Sequence, residues 1–227
     1  MAQMGEMISM IAHQWRQPLS VVSTLVGTIQ IHLELKKFDL TTEDGIEKHN
    51  KLIQDKLEDI DNTIQNLSET IDDFRNFYKP NKKAVTIKLE EVVSKSLSVI
   101  GTLLLNNNIE IIKEYNSKEE MKVYDNELIQ VILNILKNAQ DNFKEKHTKD
   151  AYIKITTANR SVSISDNGGG VPEDIIEKIF DPYFSTRDEK NGTGLGLYMS
   201  KIIVEEHHSG KLRVYNTEDG ACFVIEI

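Results

Sequence analysis

Two asparagines stand four residues apart in a segment with the apolar spacing of a helix. Apolar residues recur at three- and four-residue intervals over 128–139, and Asn134 and Asn138 fall on another face of the same helix. Asparagine is mildly unfavourable in the middle of a helix, so the pair needs an explanation. One explanation is magnesium, which prefers oxygen ligands and often takes most of them from phosphates and water. A solvated polar face of the helix is the alternative.

Two glycine-rich segments could bring the backbone close to a ligand. Asp166 follows a predicted strand, and the three glycines at 168–170 permit unusual backbone angles and close approach of a flat ligand. The Asp166 carboxylate only accepts hydrogen bonds, so it could accept one from the exocyclic amine of adenine. Residues 191–197, Asn-Gly-Thr-Gly-Leu-Gly-Leu, open a predicted helix whose N-terminal amides could hold phosphate oxygens. Taken alone, the first segment is also compatible with a flexible loop, and a glycine repeat does not identify a ligand.

The N-terminal eighty residues predict a pair of helices. Apolar residues over 46–78 form a three-four seam, which is poorly buried unless another helix covers it. The partner helix would run over about 1–37, with 38–44 as the turn, and a dimer of this antiparallel hairpin would complete a four-helix bundle. The positions expected to face inward are Met4, Met7, Ile11, Val21, Leu25, Ile29 and Leu33 or Leu35, together with Ile46, Ile53, Leu57, Ile60, Ile64, Leu67, Ile71, Phe74 and Tyr78.

Residues 81–227 have the pattern of a second domain. Pro80 ends the helical pattern because proline lacks a backbone donor and disfavours helix in the residue before it, so we place the domain boundary between residues 80 and 81. Short β-rich runs then alternate with helical stretches, which predicts a two-layer α/β sandwich with helices on one face of a mixed sheet. The predicted strands are 85–89, 109–115, 152–157, 162–165, 211–215 and 221–227, and the predicted helices are 90–105, 126–146, 173–179 and 195–208.

Composition and charge argue against several classes of function. The formal net charge of -9 argues against general binding to nucleic acid or anionic lipid, which normally requires a basic surface. The single cysteine, Cys222, excludes a disulfide within the chain and a thiolate metal cluster, and it favours a reducing compartment. No apolar run approaches the ~20 residues of a membrane-spanning helix. We therefore expect a cytoplasmic chain with no membrane contact of its own.

The order and spacing of four segments resemble a known family. Asn-Ile-Leu-Lys-Asn-Ala at 134–139, Asp-Asn-Gly-Gly-Gly-Val-Pro at 166–172, Phe-Asp-Pro-Tyr-Phe-Ser-Thr-Arg at 180–187 and Gly-Thr-Gly-Leu-Gly-Leu at 192–197 closely resemble the successive nucleotide-binding boxes of histidine kinases. The resemblance implies the α/β sandwich of the histidine-kinase-type ATPases, a fold shared with mismatch-repair, topoisomerase and chaperone ATPases. It also implies binding of ATP with magnesium beneath a mobile lid over about 181–193.

The resemblance assigns roles to individual residues. Asn138 resembles the magnesium ligand, and Asn134 resembles its neighbour near the phosphates. Asp166 resembles the adenine anchor, with Gly168 and Gly170 shaping the adenine pocket. Phe184 resembles the aromatic residue that pins the lid. Further nucleotide-binding candidates lie in the lid and in the glycine segment on the phosphate side, namely Thr186, Arg187, Lys190, Gly192, Thr193, Gly194, Leu195 and Gly196.

Two of three charged residues near the nucleotide-binding boxes could contact phosphate. Arg187 and Lys190 could contact the terminal phosphate, although charged side chains in a lid are often only solvated. Asp141 stands three residues beyond Asn138, where the family often has a basic residue or an aspartate. A cationic contact to phosphate from that position is therefore not possible.

His13 resembles the phosphoacceptor of the family. It precedes Pro18, a helix-bending proline, by five residues in His-Gln-Trp-Arg-Gln-Pro-Leu at 13–19. The resemblance implies that a neutral imidazole nitrogen attacks the γ-phosphorus of ATP in line, while magnesium and the lid neutralise charge on the phosphoryl oxygens. The other five histidines are interpreted as surface or capping residues: His32, His49, His147, His207 and His208.

Two glutamines near His13 lie at positions where many relatives keep functional residues. Many relatives carry an acidic residue directly after the histidine, and Gln14 stands there instead. An amide cannot act as a base, although Gln14 could orient the imidazole ring, so the general base stays unassigned. Gln17 lies where many relatives keep a polar residue that orients water for dephosphorylating the partner.

The leading interpretation is a protein-histidine kinase that autophosphorylates on His13 and passes the phosphoryl group to an aspartate of a response-regulator receiver domain. In a homodimer the transfer could occur within one subunit or between two, according to the handedness of the turn at 38–44.

Two alternatives stay open. The first is a nucleotide-gated scaffold or response-regulator phosphatase with little autokinase activity, which Gln14 would favour. The second is an ATP-hydrolysing clamp of the same superfamily, which the His13 box disfavours. Because the chain opens inside a predicted helix, we expect an upstream part with the sensor domain, where a membrane anchor could also lie.

Overall fold

A computed structural model describes residues 2–77, 83–117, 119–186 and 194–227, which separate into two compact units. The predicted domain boundary falls among residues 78–82, outside the described residues, and stays a prediction. Within the described ranges, no helix is both long enough and apolar enough to cross a membrane.

The first unit is a hairpin of two helices, α1 (Ala2–Glu34) and α2 (Glu43–Phe77). Thr42 caps the start of α2, because its Oγ1 accepts a hydrogen bond of 3.1 Å from the Gly45 amide. In the turn, the Asp39 carboxylate accepts hydrogen bonds from the Thr41 hydroxyl and amide, and these hold the pKa of Asp39 below its usual value. The connection therefore spans residues 35–42 and begins three residues before the predicted turn at 38–44, because α1 ends at Glu34 and not near residue 37.

Much of the apolar seam of the hairpin is exposed within a single chain. Among the predicted inward positions, Leu25 and Ile29 on α1 and Ile53, Ile60 and Leu67 on α2 are half-buried. Others are at least 37% exposed, namely Val21, Leu33, Leu35, Ile46, Leu57, Ile64 and Ile71. Leu35, which is 72% exposed, lies beyond the end of α1. The side chains of Met4, Met7, Ile11 and Phe74, and residue Tyr78, lie outside the described part of the chain.

Two histidines predicted to be surface or capping residues, His32 and His49, are half-buried and contact an aromatic residue of the turn. Phe38 in the turn stacks on the His32 ring at a centroid distance of 6.1 Å, and it meets the His49 ring edge-on at 6.2 Å. Both histidine rings therefore pack around Phe38, one from each helix. The sequence gives no periodic signal for this contact because its members belong to different elements.

The second unit contains a five-stranded mixed sheet. Its strands are β2 (Glu110–Tyr115), β4 (Tyr152–Ala158), β5 (Ser161–Asp166), β6 (Lys211–Asn216) and β7 (Ala221–Glu226). The strand order is β2-β4-β5-β7-β6, in which only the β2 and β4 pair is parallel. In β4 and β5 every second side chain is buried, so one face of the sheet lies on the core.

Three helices supply the other layer: α3 (Leu89–Asn106), α4 (Asp125–Lys146) and α5 (Gly196–Ile202). A π-helical turn, Ile203–His207, continues α5. Side chains from both layers are fully buried between them, including Leu104, Ile132, Ile135, Leu136, Ile153, Ile155, Ile164 and Ile203. The predicted fold class, a helical hairpin followed by a two-layer α/β sandwich, is confirmed, whereas the dimeric four-helix bundle stays a prediction.

Two local predictions differ from the structure. The sequence analysis did not predict β3 (Glu120–Val123), which pairs antiparallel with β1 (Val85–Lys88) in a separate two-stranded sheet. This strand, Glu-Met-Lys-Val, has one β-branched side chain, whereas the equally short β1, Val-Thr-Ile-Lys, has three, so its strand signal is weaker. The helix predicted over 173–179 is instead a series of turns and a 3-10 turn at Lys178–Phe180.

Candidate functional site

Asp166 is a buried carboxylate at the end of β5. Its Oδ1 accepts hydrogen bonds from the Gly168 amide at 2.8 Å and the Ala221 amide at 3.4 Å. Burial raises the pKa of the Asp166 carboxyl above its ordinary value, while these two amides and the charge of Lys146 act against that shift. The carboxylate is thus held in one orientation, in surroundings where an acceptor gains strongly from a ligand N–H.

The glycine loop, residues 167–171, is held against the turn between β6 and β7. The Asn216 side chain accepts a 2.8 Å hydrogen bond from the Val171 amide and donates one of 2.7 Å to the Val171 carbonyl. Gly170 has φ +73, and a Cβ there would lie 2.7 Å from Asn216 Oδ1. The loop therefore makes defined contacts with Asn216, and glycine at position 170 allows the close approach.

A stripe of polar residues runs along α4 at four-residue spacing: Asn134, Asn138, Asn142 and Lys146. At its C-terminal end, Asn142 Nδ2 and Lys146 Nζ both donate to the Gly168 carbonyl, at 3.0 and 2.7 Å. The sequence analysis missed Asn142 and Lys146. Extending the spacing of the asparagine pair by two further steps would have found them.

At the other end of the stripe, Asn134 Nδ2 donates to Gly196 O and to Ser200 Oγ, both at 3.2 Å. Asn134 therefore ties α4 to the start of α5, directly after the buried Leu195. Asn138 lies one helical turn beyond Asn134 and is half-buried. Within the described part of the chain its side chain makes no hydrogen bond, and its amide oxygen suits a magnesium ion that takes its other ligands from phosphates.

The described ends of the predicted lid are joined by one backbone contact. The Tyr183 amide donates to Gly194 O at 3.0 Å, and both residues have positive φ, 67 and 63 respectively. Phe184 is half-buried and Thr186 is exposed. The remaining lid candidates lie outside the described residues: Arg187, Lys190, Gly192 and Thr193.

Replacing Gly194 by alanine is expected to destabilise the second unit. A side chain at φ +63 costs ~1–2 kcal/mol, and the new Cβ would overlap the Tyr183 backbone. The matched control is Gly101→Ala in α3, where a Cβ meets nothing within 4 Å, and this change should stabilise by ~0.5–1 kcal/mol. Denaturant unfolding of the two variants measures the difference. Equal unfolding free energies would contradict the role given to Gly194.

The residues predicted for phosphoryl transfer lie in α1. His13, Gln14 and Gln17 belong to this helix, but their side chains lie outside the described ones. Helix α1 continues through Pro18. Their predicted roles therefore stay predictions.

The remaining three histidines have local structural roles. His208 is buried; its Nε2 accepts a hydrogen bond from the Tyr124 amide at 3.1 Å, so its Nδ1 carries the proton shared with Ile203 O at 3.0 Å. His147, with φ 50, ends α4. These two agree with the capping interpretation. His207 instead pairs with the buried Glu127, at 3.0 Å from Nδ1 to Oε1.

Comparison with known proteins agrees with this geometry. Residues 124–227 match the family model described as histidine kinase-, DNA gyrase B-, and HSP90-like ATPase. The chain is 30% identical, over 99% of its length, to the signal transduction histidine-protein kinase AtoS of Escherichia coli K12, of which it covers 35%. It is 29% identical, over 98% of its length, to the sensor histidine kinase ZraS of Salmonella typhimurium, of which it covers 45%. The chain thus spans less than half the length of these curated relatives.

Solved structures of histidine kinases also align with this chain. The nucleotide-free catalytic domain of the histidine kinase ThkA aligns with a TM-score of 0.55 at 29% identity, covering 64% of this chain and 97% of that domain. ThkA in its complex with the response regulator protein TrrA aligns with a TM-score of 0.64 at 23% identity, covering 100% of this chain and 62% of that one. The second likeness concerns the fold alone.

Proposed function

We propose that this chain is a member of the sensor histidine kinase family and acts as an ATP-dependent protein-histidine kinase of a two-component system, as its similarity to such kinases supports. It autophosphorylates on His13 and transfers the phosphoryl group to an aspartate of a response-regulator receiver domain. A phosphoimidazole suits such a relay, because it is a high-energy carrier that gives up its phosphoryl group readily to a carboxylate.

One observation carries the ATP-binding part of the proposal: helix α4 contacts both glycine segments. Asn134 binds Gly196 in the segment assigned to the phosphates, and Asn142 binds Gly168 in the segment assigned to adenine. Asn138 lies one turn from each of these asparagines. A nucleotide lying along α4 would meet Asp166 at its base and Asn138 at its phosphates, which is the order that the family resemblance implies.

Each site residue has a separate role in the proposed reaction. The Asp166 carboxylate accepts a hydrogen bond from the adenine amine, and Asn134 holds the start of α5 in place. Asn138 and the phosphates would hold magnesium, which when bound supplies neutralisation of charge on the phosphate oxygens. His13 supplies the nucleophilic nitrogen, and Gln14 orients its ring. These contributions are positioning and electrostatics, which dominate phosphoryl transfer.

The exposed seam of the hairpin supports a homodimer. Ile46, Leu57 and Ile64 on α2 are 42, 54 and 50% exposed in one chain, and they recur at the spacing of a helix interface. A second copy would cover them in a four-helix bundle. We propose that exposed residues of the same bundle, near His13, receive the response regulator, and that Gln17 orients water when the regulator is dephosphorylated.

Incubation with magnesium and γ-labelled ATP tests the kinase proposal. A kinase acquires label that is stable in base and lost in acid, and it passes that label to an added receiver domain. ATP binding without any label would refute the autokinase proposal. It would instead favour a scaffold or a response-regulator phosphatase. The sequence evidence for that alternative is Gln14, which stands in place of an acidic residue.

Replacing Asp166 by asparagine is expected to weaken ATP binding about 10- to 100-fold. The change removes a hydrogen bond to a charged acceptor, and such a bond contributes about 1.5–3 kcal/mol. Folding should survive, because burial raises the pKa of Asp166 and so its ionised form opposes folding above the ordinary aspartate pKa. Calorimetric titration with ATP measures the loss, with the exposed Asp174→Asn as the control. Unchanged affinity in Asp166→Asn would remove Asp166 from the adenine site.

A further inference from the structure

The Gly168 carbonyl oxygen receives two hydrogen bonds from one helix. Asn142 Nδ2 lies 3.0 Å from it and Lys146 Nζ lies 2.7 Å from it. A carbonyl oxygen has two lone pairs, so these two donors satisfy it fully, and the Lys146 bond is charge-assisted. Lys146 is the last residue of α4, and the left-handed residue His147 follows it. The two side chains form a clamp on the glycine loop.

The clamped residue is directly linked to the adenine anchor. The amide of Gly168 donates to Asp166 Oδ1 at 2.8 Å, while its carbonyl is held by Asn142 and Lys146. Both polar groups of Gly168 are therefore engaged. A rotation of the main chain at Gly168 would break the clamp and would also remove the shorter of the two amide hydrogen bonds that orient the Asp166 carboxylate.

A side chain at position 168 would displace the Asn142 side chain from the Gly168 carbonyl. A Cβ on Gly168 would overlap Asn142 Nδ2 and would lie 3.0 Å from Asp166 Oδ1. A Cβ on Gly169 would lie 3.5 Å from Lys146 Nζ. Helix α4 thus approaches the loop backbone along two successive residues, and the ammonium group of Lys146 lies beside both.

We propose that Asn142 and Lys146 are positioning residues for the nucleotide base, which fix the glycine loop and the Asp166 carboxylate before ATP arrives. This inference rests on the proposed ATP site. A loop that is already ordered costs less to bind, so the clamp contributes affinity without touching the nucleotide. Because it acts at the base, its contribution is the same for ligands that share adenine and differ in phosphates.

The test compares ADP and ATP binding by calorimetry in the whole chain and in Lys146→Met and Asn142→Leu. We expect each change to raise the Kd about 3- to 10-fold, by the same factor for ADP as for ATP, because a lost hydrogen bond of this kind has that typical effect. The KM for ATP should rise by a similar factor while kcat stays unchanged, which is the result of lost uniform binding. Lys144→Met, an exposed change in the same helix turn, is the matched control and should bind like the unaltered chain.

Three results would overturn the inference. The first is an unchanged Kd in both Lys146→Met and Asn142→Leu. The second is a larger loss for ATP than for ADP, which would make Lys146 a direct phosphate contact. The third is failure of Lys146→Arg, which can still donate to a carbonyl, to recover affinity. Lys146 is exposed, so its variants should fold, with no more than the small loss of stability that one hydrogen bond contributes. If the unaltered chain bound neither nucleotide, the proposed function itself would fail, and that result would be seen before any variant is compared.

Discussion

Replacing His13 by alanine is expected to abolish acid-labile phosphorylation of the chain. Alanine has no nitrogen that can attack the γ-phosphorus, so the loss should be complete to the limit of detection. ATP binding should be unchanged, because the nucleotide contacts proposed here come from residues of the second unit. The measurement is label retained in base and released in acid, after incubation with magnesium and γ-labelled ATP.

A histidine outside the proposed site provides the control for that experiment. His147 is exposed and has a left-handed backbone, which asparagine also tolerates, so His147→Asn should phosphorylate normally. Acid-labile label persisting in His13→Ala would mean that another histidine accepts the phosphoryl group, and the assignment of His13 would be wrong.

The second large effect is expected from Asn138→Ala, which should lower the rate of autophosphorylation about 100-fold or more. Removing one group that stabilises charge in a transition state typically costs about 10²- to 10³-fold. Asn138 is the candidate ligand of magnesium, so the added affinity that magnesium gives to ATP binding should disappear, whereas binding of ADP without magnesium should be retained. Calorimetry with and without magnesium separates these two effects.

Asn126→Ala is the matched control for this change. Asn126 is exposed in the first turn of the same helix, so its loss should leave both the rate and the magnesium dependence unchanged. If Asn138→Ala kept a normal response to magnesium, the metal would have to be held by other residues, and Asn138 would be part of a solvated helix face.

Periodicity and motif order were sufficient to predict the elements that build the candidate site. Helix α4 and strand β5 were predicted nearly to their ends because each has a long, regular pattern of apolar residues. Asn134 and Asp166 were singled out by type and position, and the structure brings each into contact with a glycine segment, at Gly196 and Gly168 respectively.

Other features depend on contacts between elements that have no regular spacing in the sequence. The contact of Tyr183 with Gly194 joins the ends of the predicted lid by a backbone hydrogen bond, which leaves no residue-type signal. Asn142 and Lys146 continue the four-residue spacing of Asn134 and Asn138, but the spacing does not show that their partner is the Gly168 carbonyl. Strand β3 was missed because it has one β-branched residue, whereas the equally short β1 has three.

The most direct test of the proposed function is to locate the phosphoryl group by mass spectrometry after the unaltered chain has reacted with magnesium and ATP. We expect a single acid-labile phosphate on the peptide that contains His13, and we expect it to disappear when a receiver domain is added. A chain that binds ATP and carries no phosphate, or carries it only on another residue, would contradict the account.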